Sequence, residues 1–347
     1  MNFIPKISLL LLFILSSCHS SAQKKDDYQK SIDSLIQNTT NPVFNGVMLI
    51  SQNGKILYSK AKGYSNFETK KPLTLDSQFE IMSITRQITA ALVLKEVEKG
   101  KIDLHTPIKK YLPNIKQTWA DTITIHQLLN HSHGITDLQK PLLFKPGSDF
   151  KYGNEGYPIL GQILESVTKK SYSELANDLF KKLKMNNTFC YSKDKDRNLV
   201  TGYMNNGGNL EKAENNLISP YKVPSGGLIS TVNDLLIWNN NLHKGKILKP
   251  ESYKLMTSYT IKNQHNFFGK DKEGYGYGLR IIEKEPIKYF GHTGLGNGFS
   301  AVNLYFPESD VSLIVLENQM PEDSNLFYAS EFKIKNILFK SNLLNKK

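Results

Sequence analysis

Cysteine is scarce in this chain, since only Cys18 and Cys190 occur among its 347 residues. Cys18 lies close to the start, and if it is modified there, no internal disulfide can form. A chain of this length can bury a sizeable core without cross-links. Cys190 has no second cysteine or histidine at a metal-binding spacing. We therefore predict that it is a buried structural thiol.

Clustered positive charge is also lacking, although the chain is basic. Lysine and arginine number 44 against 32 acidic residues, which gives a formal net charge of +12. The basic residues are scattered and are not interleaved with aromatics or glycines as in a nucleic-acid-binding module. Nucleic acid is therefore not a predicted partner. A solvated surface is the simplest interpretation, and attraction to anionic lipid or cell-wall polymer stays open.

Internal repeats and long low-complexity segments are absent, and the one extended apolar run stands at the start. Residues 1–17 contain Lys6, an apolar run over 7–15 and then small residues. This pattern is typical of an export signal peptide, and the run is too short to span a bilayer comfortably.

The signal ends in LSSC at 15–18, which resembles a bacterial lipobox. We therefore expect Cys18 to become the lipidated first residue of a mature protein held in the cell envelope. Cleavage after Ala22 or Gln23, which would give a soluble secreted or periplasmic protein, is the alternative. The polar segment 18–30 is predicted to be a tether.

Hydrophobic periodicity divides the rest of the chain into strands, a helical block and strands again. The turn-forming pair Asn53-Gly54 stands between two β-rich runs and indicates a hairpin. Gly100 is predicted to end the helix that follows. The predicted strands are 45–51, 55–60, 275–283, 299–306 and 311–317, and the predicted helices are 28–37, 84–100, 125–130, 157–169, 173–183, 230–242 and 331–344.

This order predicts an α/β (α+β) fold with one antiparallel sheet built from both chain ends, flanking helices and an inserted, mainly helical subdomain. We expect one domain over 31–345. Its sheet subdomain comprises about 31–100 and 225–345, and its helical subdomain about 101–224. The cleft between the two is a common place for a small-molecule site.

Six short segments carry the candidate chemistry. They are FEIMSITRQITA at 79–90, KEVEKGKIDL at 95–104, LLNHSHGI at 128–135, FKYGNEGY at 150–157, PSGGLIST at 224–231 and GHTG at 291–294. Each is weak alone, and Ser148 to Lys151 matches S-x-x-K by chance. In this order, over roughly residues 35–335, they closely resemble the serine β-lactamase and penicillin-binding-protein superfamily, in particular its class C, esterase and D-amino-acid peptidase branches.

The resemblance implies a role for each residue that matches a family motif, and it implies no cofactor. Ser83 would be the nucleophile, Tyr152 the proton relay to the leaving group, and His292 a hydrogen-bond partner of Tyr152 or of the substrate. The implied substrate-binding residues are Asn154, Thr293, Gly294 and Leu295. The backbone N–H groups of Leu295 and Ser83 would form the oxyanion hole.

Elementary geometry agrees with these roles. Ser83 at a helix start would lie near the positive end of the helix dipole, and residue 86, one turn later, could reach its hydroxyl. Tyr152 and Asn154 are two apart, so in an extended segment they face the same way. Without the flanking segments, Ser83 would equally fit a helix N-cap, and the other two would fit ordinary turn residues.

Arg86 departs from the family pattern, which has lysine three residues after the serine. A serine hydroxyl is a weak nucleophile and needs a neighbouring base. A buried lysine can be neutral and accept the proton of the serine, whereas arginine keeps its own proton. Arg86 could supply positive charge beside Ser83 and leave Tyr152 as the sole base, and its larger guanidinium could crowd the nucleophile.

Three histidines admit more than one interpretation. His131 and His133 are two residues apart, but no third ligand stands at a recognisable spacing, so no metal site is predicted. His133 replaces a small polar residue of the family pattern and could narrow the site. His292 could also be an ordinary strand histidine.

Two hypotheses for the function follow. The first is a serine hydrolase that forms an acyl-enzyme on Ser83, with D-amino-acid peptides, cell-wall stem peptides, simple esters or β-lactams as substrates. The second is a binding protein that keeps the cleft but has lost efficient acylation through Arg86. A purely structural surface lipoprotein is a third possibility. The predicted partners are a small-molecule or peptide substrate, a membrane through the lipid anchor and, as an open possibility, the cell wall.

Overall fold

The computed structural model describes residues 27–38, 42–191, 198–214, 219–264, 273–283 and 285–344. The predicted signal peptide, Cys18 and the tether up to residue 26 lie outside these ranges. Residues 28–30, which the tether prediction included, belong to the first helix. Within the described ranges, no helix has the length and apolar character needed to cross a membrane.

The described residues form the following elements. The helices are α1 (Tyr28–Gln37), α2 (Thr85–Glu98), α3 (Ile125–Leu129), α4 (Gly156–Thr168), α5 (Tyr172–Leu183), α6 (Val223–Gly226), α7 (Val232–Leu242), α8 (Pro250–Met256) and α9 (Ala329–Phe339). The strands are β1 (Gly46–Gln52), β2 (Lys55–Lys62), β3 (Tyr64–Asn66), β4 (Lys71–Pro72), β5 (Phe79–Glu80), β6 (Phe189–Cys190), β7 (Tyr203–Asn206), β8 (Asn209–Lys212), β9 (Leu228–Ser230), β10 (Lys262–Gln264), β11 (Glu273–Tyr275), β12 (Arg280–Ile282), β13 (Tyr289–Gly296), β14 (Phe299–Phe306), β15 (Val311–Glu317) and β16 (Gln319–Pro321).

The main sheet has eight strands in the order β10-β11-β12-β13-β14-β15-β1-β2. All its pairs are antiparallel, and β1 from the start of the chain pairs with β15 from its end. This confirms the predicted sheet built from both chain ends. Asn53 and Gly54 both have positive φ, as a tight hairpin turn between β1 and β2 requires.

Alternate residues of the central strands face two separate cores. On β1, Val47 and Leu49 belong to the larger core with α2, α4, α5 and α7, whereas Met48 and Ile50 face α1 and α9. The sheet is therefore buried on both faces, which explains the nearly continuous apolar sequences of β14 and β15. Cys190 is a buried side chain in the larger core, in agreement with its predicted structural role.

Several predicted elements differ from those observed: the last helix, predicted over 331–344, is Ala329–Phe339, and two further differences have a clear cause. The run 275–283 is not one strand but the end of β11, a turn and β12, because Gly278 adopts a positive φ and reverses the chain. The predicted helix 230–242 begins at Val232, since Ser230 belongs to β9 and the Thr231 side chain caps the helix by accepting from the N–H of Asp234.

Two buried carboxyl groups, Glu317 on β15 and Glu331 on α9, lie next to each other between the sheet and the last helix. Burial raises the pKa of both, and the neighbouring Glu331 charge raises that of Glu317 further. Below its unfolded pKa of about 4.5, such a carboxyl group is neutral in both states and does not oppose folding. As the pH rises through the folded-state pKa, the buried group must lose its proton, and the free energy of unfolding falls.

We expect Glu317→Gln to raise the melting temperature at pH 8 and to flatten its decline between pH 5 and pH 8. Each kcal/mol gained in the free energy of unfolding corresponds to a rise of roughly 2–4 °C. The amide oxygen would still accept from the N–H of Asn45 and from Gln319, and the amide N–H could donate to Glu331. Thermal unfolding at several pH values tests this. The exposed Glu322→Gln makes the same charge change as a control. An equal gain in both variants would refute the explanation.

Candidate active site

Ser83 lies in a 3₁₀ turn, Met82–Ile84, that leads directly into α2. The segment 224–231 supports this turn: the N–H of Ile81, just before the turn, donates to the carbonyl oxygen of Leu228 over 3.0 Å. The backbone of Met82 has a positive φ of 47°, which is unusual for a residue other than glycine. The partly exposed hydroxyl therefore stands at the start of the helix, as predicted.

Arg86 is completely buried and contacts the other two polar motifs. Its Nη1 donates to Oγ of Ser83, and its Nη2 donates to Oδ1 of Asn154 over 2.7 Å and to the carbonyl oxygen of Gly153 over 3.3 Å. Because a guanidinium only donates, the oxygen of the Asn154 side chain must face it, which leaves the amide N–H groups pointing elsewhere. Arg86 thus joins the nucleophile turn to the segment before α4.

Tyr152 packs against two arginines. The Cζ atom of Arg86 lies 4.7 Å from the centre of its ring, and that of Arg280 lies 5.4 Å from it. Both distances fall within the range of cation–π contact. Arg280 is itself buried and lies 3.6 Å from the carboxylate of Glu273. Tyr152 is half-buried and Asn154 is exposed. Because both contact Arg86, the two residues converge on one guanidinium.

His292 is fully buried and both its ring nitrogens have partners. Nδ1 lies 2.6 Å from the carbonyl oxygen of Thr293, and Nε2 lies 2.9 Å from the hydroxyl of Tyr275. Burial, followed by the charges of the two nearby arginines, lowers its pKa well below 6.5. The ring is therefore neutral, so Nδ1–H must donate to the carbonyl oxygen and Nε2 must accept from Tyr275.

This arrangement corrects one of the two expected roles of His292. Its ring centre is 6.0 Å from that of Tyr152, and the hydrogen bond that was a candidate for Tyr152 goes to Tyr275 instead. The cause is the tertiary structure: β11, which ends at Tyr275, turns back into β12, and β12 pairs with β13, the strand that carries His292. Thr293 in turn bonds to the side chain of Tyr328, the residue that precedes α9.

Strand β13 passes directly beside the nucleophile turn. A side chain at Gly294 would collide with the carbonyl oxygen of Ile81 and lie 2.9 Å from Cβ of Met82, so glycine is required at this approach. Leu295 follows Gly294 and is partly exposed. The strand thus brings Leu295 to the neighbourhood of Ser83, where the sequence places the oxyanion hole, and that role stays a prediction.

His131 and His133 lie beneath this site. Both are fully buried, and burial lowers the pKa of His133 to about 4 and that of His131 well below 6.5. The ring of His131 packs 4.6 Å from that of Tyr152, and His133 accepts from the N–H of Ile135 over 2.9 Å. The described residues contain no group of three metal-ligating side chains. Both histidines line the buried side of the site, where His131 packs against Tyr152.

Sequence reasoning missed Tyr275 and Arg280. Their segment was interpreted as a plain strand, in which a charged residue is expected to face solvent. The available signal was the glycine-tyrosine alternation over 274–278, which is poor strand sequence and indicates close backbone approach. Gly278 meets this description, since a side chain there would collide with the backbone of Arg86.

Comparisons with known proteins agree with this geometry. The family model "Beta-lactamase" matches residues 32–333. Protein flp of Staphylococcus aureus (strain MRSA252) is 27% identical over 325 residues, which covers 84% of this chain and 63% of that protein. The teichoic acid D-alanine hydrolase of Staphylococcus aureus (strain NCTC 8325 / PS 47) is 29% identical over 277 residues, which covers 74% of this chain and 66% of that protein.

Among solved structures, the octameric penicillin-binding protein homologue from Pyrococcus abyssi is 28% identical, with a TM-score of 0.77 over 91% of this chain and 78% of that one. The chain spans slightly less than two thirds of the length of the two curated relatives. The family match nevertheless covers the whole sheet and the helical block between its halves. The chain therefore belongs to the Beta-lactamase family and has the serine-hydrolase fold of β-lactamases and penicillin-binding proteins.

Proposed function

We propose that this protein is a serine hydrolase that cleaves D-alanyl esters or amides through an acyl-enzyme on Ser83. The observation that carries the proposal is the convergence of Ser83, Asn154 and the ring of Tyr152 on the single buried guanidinium of Arg86. A nucleophile, a donor amide and a phenol gathered at a helix start form the minimal set for acyl transfer.

The proposed reaction begins with attack of the Ser83 oxygen on the substrate carbonyl carbon, while its proton moves to the phenolate of Tyr152. The carbonyl oxygen becomes an oxyanion, for which the N–H groups of Ser83 and Leu295 are the proposed donors. The bond to the leaving group then breaks, and Tyr152 returns the proton to that group. Water hydrolyses the resulting ester, with Tyr152 again carrying the proton between water and the serine.

Arg86 cannot be the base in this scheme, because a guanidinium does not release its proton in proteins. Together with Arg280, which also lies near the ring, it would stabilise the negative charge that Tyr152 needs in order to accept a proton. His292 adds no charge, because it is neutral. The positive charge of the site is thus supplied by two buried arginines.

A D-alanyl group is favoured as the acyl part because a relative that matches 74% of this chain is a teichoic acid D-alanine hydrolase. The amide N–H groups of Asn154 are turned away from Arg86 and are available to a substrate carbonyl. Cell-wall stem peptides, simple esters and β-lactams contain the same reactive carbonyl and are further candidates.

Intact-protein mass spectrometry tests this proposal. The protein is incubated separately with a fluorophosphonate, a penicillin, a D-alanyl thioester and the matched L-alanyl thioester. Each compound that reacts should add one group per protein molecule, and the D-alanyl thioester should react faster than the L-alanyl thioester. No adduct from any of the four compounds would contradict a Ser83 acyl-enzyme.

The contact between Arg86 and Ser83 favours a second candidate function. A cation that donates a hydrogen bond to the serine oxygen reduces the electron density available for attack. The same cleft could then hold a D-alanyl ligand without reacting. Thermal stabilisation by the penicillin or by D-alanyl-D-alanine without any mass adduct would identify such a binding protein.

We also propose that the protein is exported and anchored at the cell envelope through Cys18. The LSSC sequence at 15–18 and the apolar run before it support this. We expect Cys18→Ser to release the protein from the membrane fraction and to remove the lipid mass, because several acyl chains anchor stably where one binds only marginally. Cys190→Ser is the matched control. Unchanged fractionation and mass in Cys18→Ser would refute the anchor.

A further inference from the structure

A cavity of about 440 Å³, apart from the cleft at Ser83, lies between α2 and α5. Its lining on α2 begins at Leu92, nine residues after Ser83 and therefore about 14 Å along the helix. The volume falls within the range of small-molecule sites. We call this cavity the lysine groove, because five of its lining residues are lysines: Lys95, Lys99, Lys101, Lys170 and Lys182.

The lysine groove holds more positive charge than its own carboxylates neutralise. The lining itself contains two carboxylates, Glu96 and Asp178, so it carries three more positive charges than negative ones. Glu98 and Glu174 lie outside the lining and act on Lys95 and Lys170. Glu96 pairs with Lys99 and Lys101, and Asp178 pairs with Lys170 over 2.8 Å. Lys95 and Lys182 take part in none of these three ion pairs.

Lys95 is the groove lysine at which burial and like charge outweigh the nearby carboxylates Glu98 and Glu96. Its side chain is half-buried, and burial, followed by the charges of Lys182 and Lys99, lowers its pKa. Like charges brought together at a partly buried position cost free energy. An anion bound between Lys95 and Lys182 would remove that cost, and the groove would supply binding energy that the free protein does not use.

The floor of the groove is apolar, since it is made by Leu92, Leu175 and Leu179. A recessed pocket with an apolar floor and a charged rim suits a small ligand that enters it, whereas a flat anionic membrane surface could contact only the rim. Lysine ammonium groups bind phosphate as point charges.

From this charge, volume and lining, we infer that the lysine groove binds a soluble ligand with at least two phosphate groups. A phosphate monoester carries about −1.5 to −2 charges at neutral pH, so two groups would balance the excess of three positive charges. The site would be separate from the cleft at Ser83, so its occupancy needs no acyl-enzyme chemistry.

Calorimetric titration with pyrophosphate at constant ionic strength tests this inference. We expect saturable binding by the native protein that is weakened about tenfold or more by Lys95→Gln and by Lys182→Gln. Lys340→Gln, which removes one exposed lysine after α9, should bind as the native protein does. Lys182→Gln is exposed and should fold even if Lys95→Gln does not, which keeps the test decisive.

Three outcomes would overturn the inference. The native protein could fail to bind pyrophosphate, or the Lys340→Gln control could lose as much affinity as the groove variants, which would indicate only the general basic charge of the chain. The third outcome comes from a separate binding experiment with vesicles that contain phosphatidylglycerol. Binding to these vesicles that depends on Lys95 and Lys182, without binding of pyrophosphate, would assign the groove to lipid headgroups. Labelling of Ser83 should be the same in all these variants.

Discussion

Replacement of Ser83 by alanine is expected to abolish covalent labelling by a fluorophosphonate and to reduce any hydrolysis of D-alanyl esters by about 10⁴-fold or more. The Ser83 oxygen is the atom that would form the acyl-enzyme, and no other described hydroxyl is bonded to Arg86. The loss should appear in kcat, because the remaining cleft residues can still hold the substrate. Intact-protein mass spectrometry and initial rates measure the two effects.

Ser148→Ala provides a matched control for this experiment. Ser148 also stands three residues before a lysine, but it is exposed and donates to the carbonyl oxygen of Lys145. Circular dichroism and thermal unfolding should show that both variants keep the native fold. Hydrolysis that persists in Ser83→Ala at the native rate would exclude Ser83 and indicate another nucleophile or a contaminating enzyme.

Much of the fold could be predicted because local signals agree with the tertiary arrangement. The hairpin at Asn53-Gly54 is a case in which two residues suited to positive φ separate two β-rich runs. The strands 299–306 and 311–317 match β14 and β15 residue for residue, because they are mostly apolar and bounded by turn residues. Helix α1 likewise has one buried stripe at Tyr28, Ile32 and Ile36.

The site could be predicted only where its residues lie in recognisable segments. Ser83, Tyr152 and His292 were predicted in this way; the structure places Ser83 and Tyr152 against Arg86 and His292 near Tyr152, and their catalytic roles stay predictions. Tyr275, the partner of His292, could not be found, since a hydrogen bond between residues 17 apart depends on the turn at Gly278. The buried pair of Arg280 and Glu273 has the same origin, because a strand sequence does not reveal which charges are covered.

The replacement Arg86→Lys has the second largest expected effect, because it introduces a group that can act as a base. Burial and the nearby charge of Arg280 would lower the pKa of a lysine at this position and make its neutral form available. That lysine could accept the Ser83 proton directly. We expect single-turnover acylation to rise by roughly tenfold or more, since general-base catalysis typically contributes 10²–10⁴-fold.

The pH dependence identifies the cause of such a gain. In Arg86→Lys, the acylation rate should rise with pH through the lowered pKa of the new lysine and then level off. The native protein has no such base at position 86, so its profile should lack this step. Arg86→Gln separates base from charge, because it offers neither and should be slower than both.

A slower Arg86→Lys protein would overturn the missing-base explanation and give the guanidinium a different role. Two nitrogens of Arg86 reach Ser83 and Asn154 at once, and one lysine nitrogen cannot reproduce this fork. The native contacts would then be needed to hold Asn154 toward the substrate, and the loss should appear mainly as a raised KM. Single-turnover acylation of the native protein and of both Arg86 variants with an activated D-alanyl ester, measured from pH 5 to pH 10, distinguishes these results.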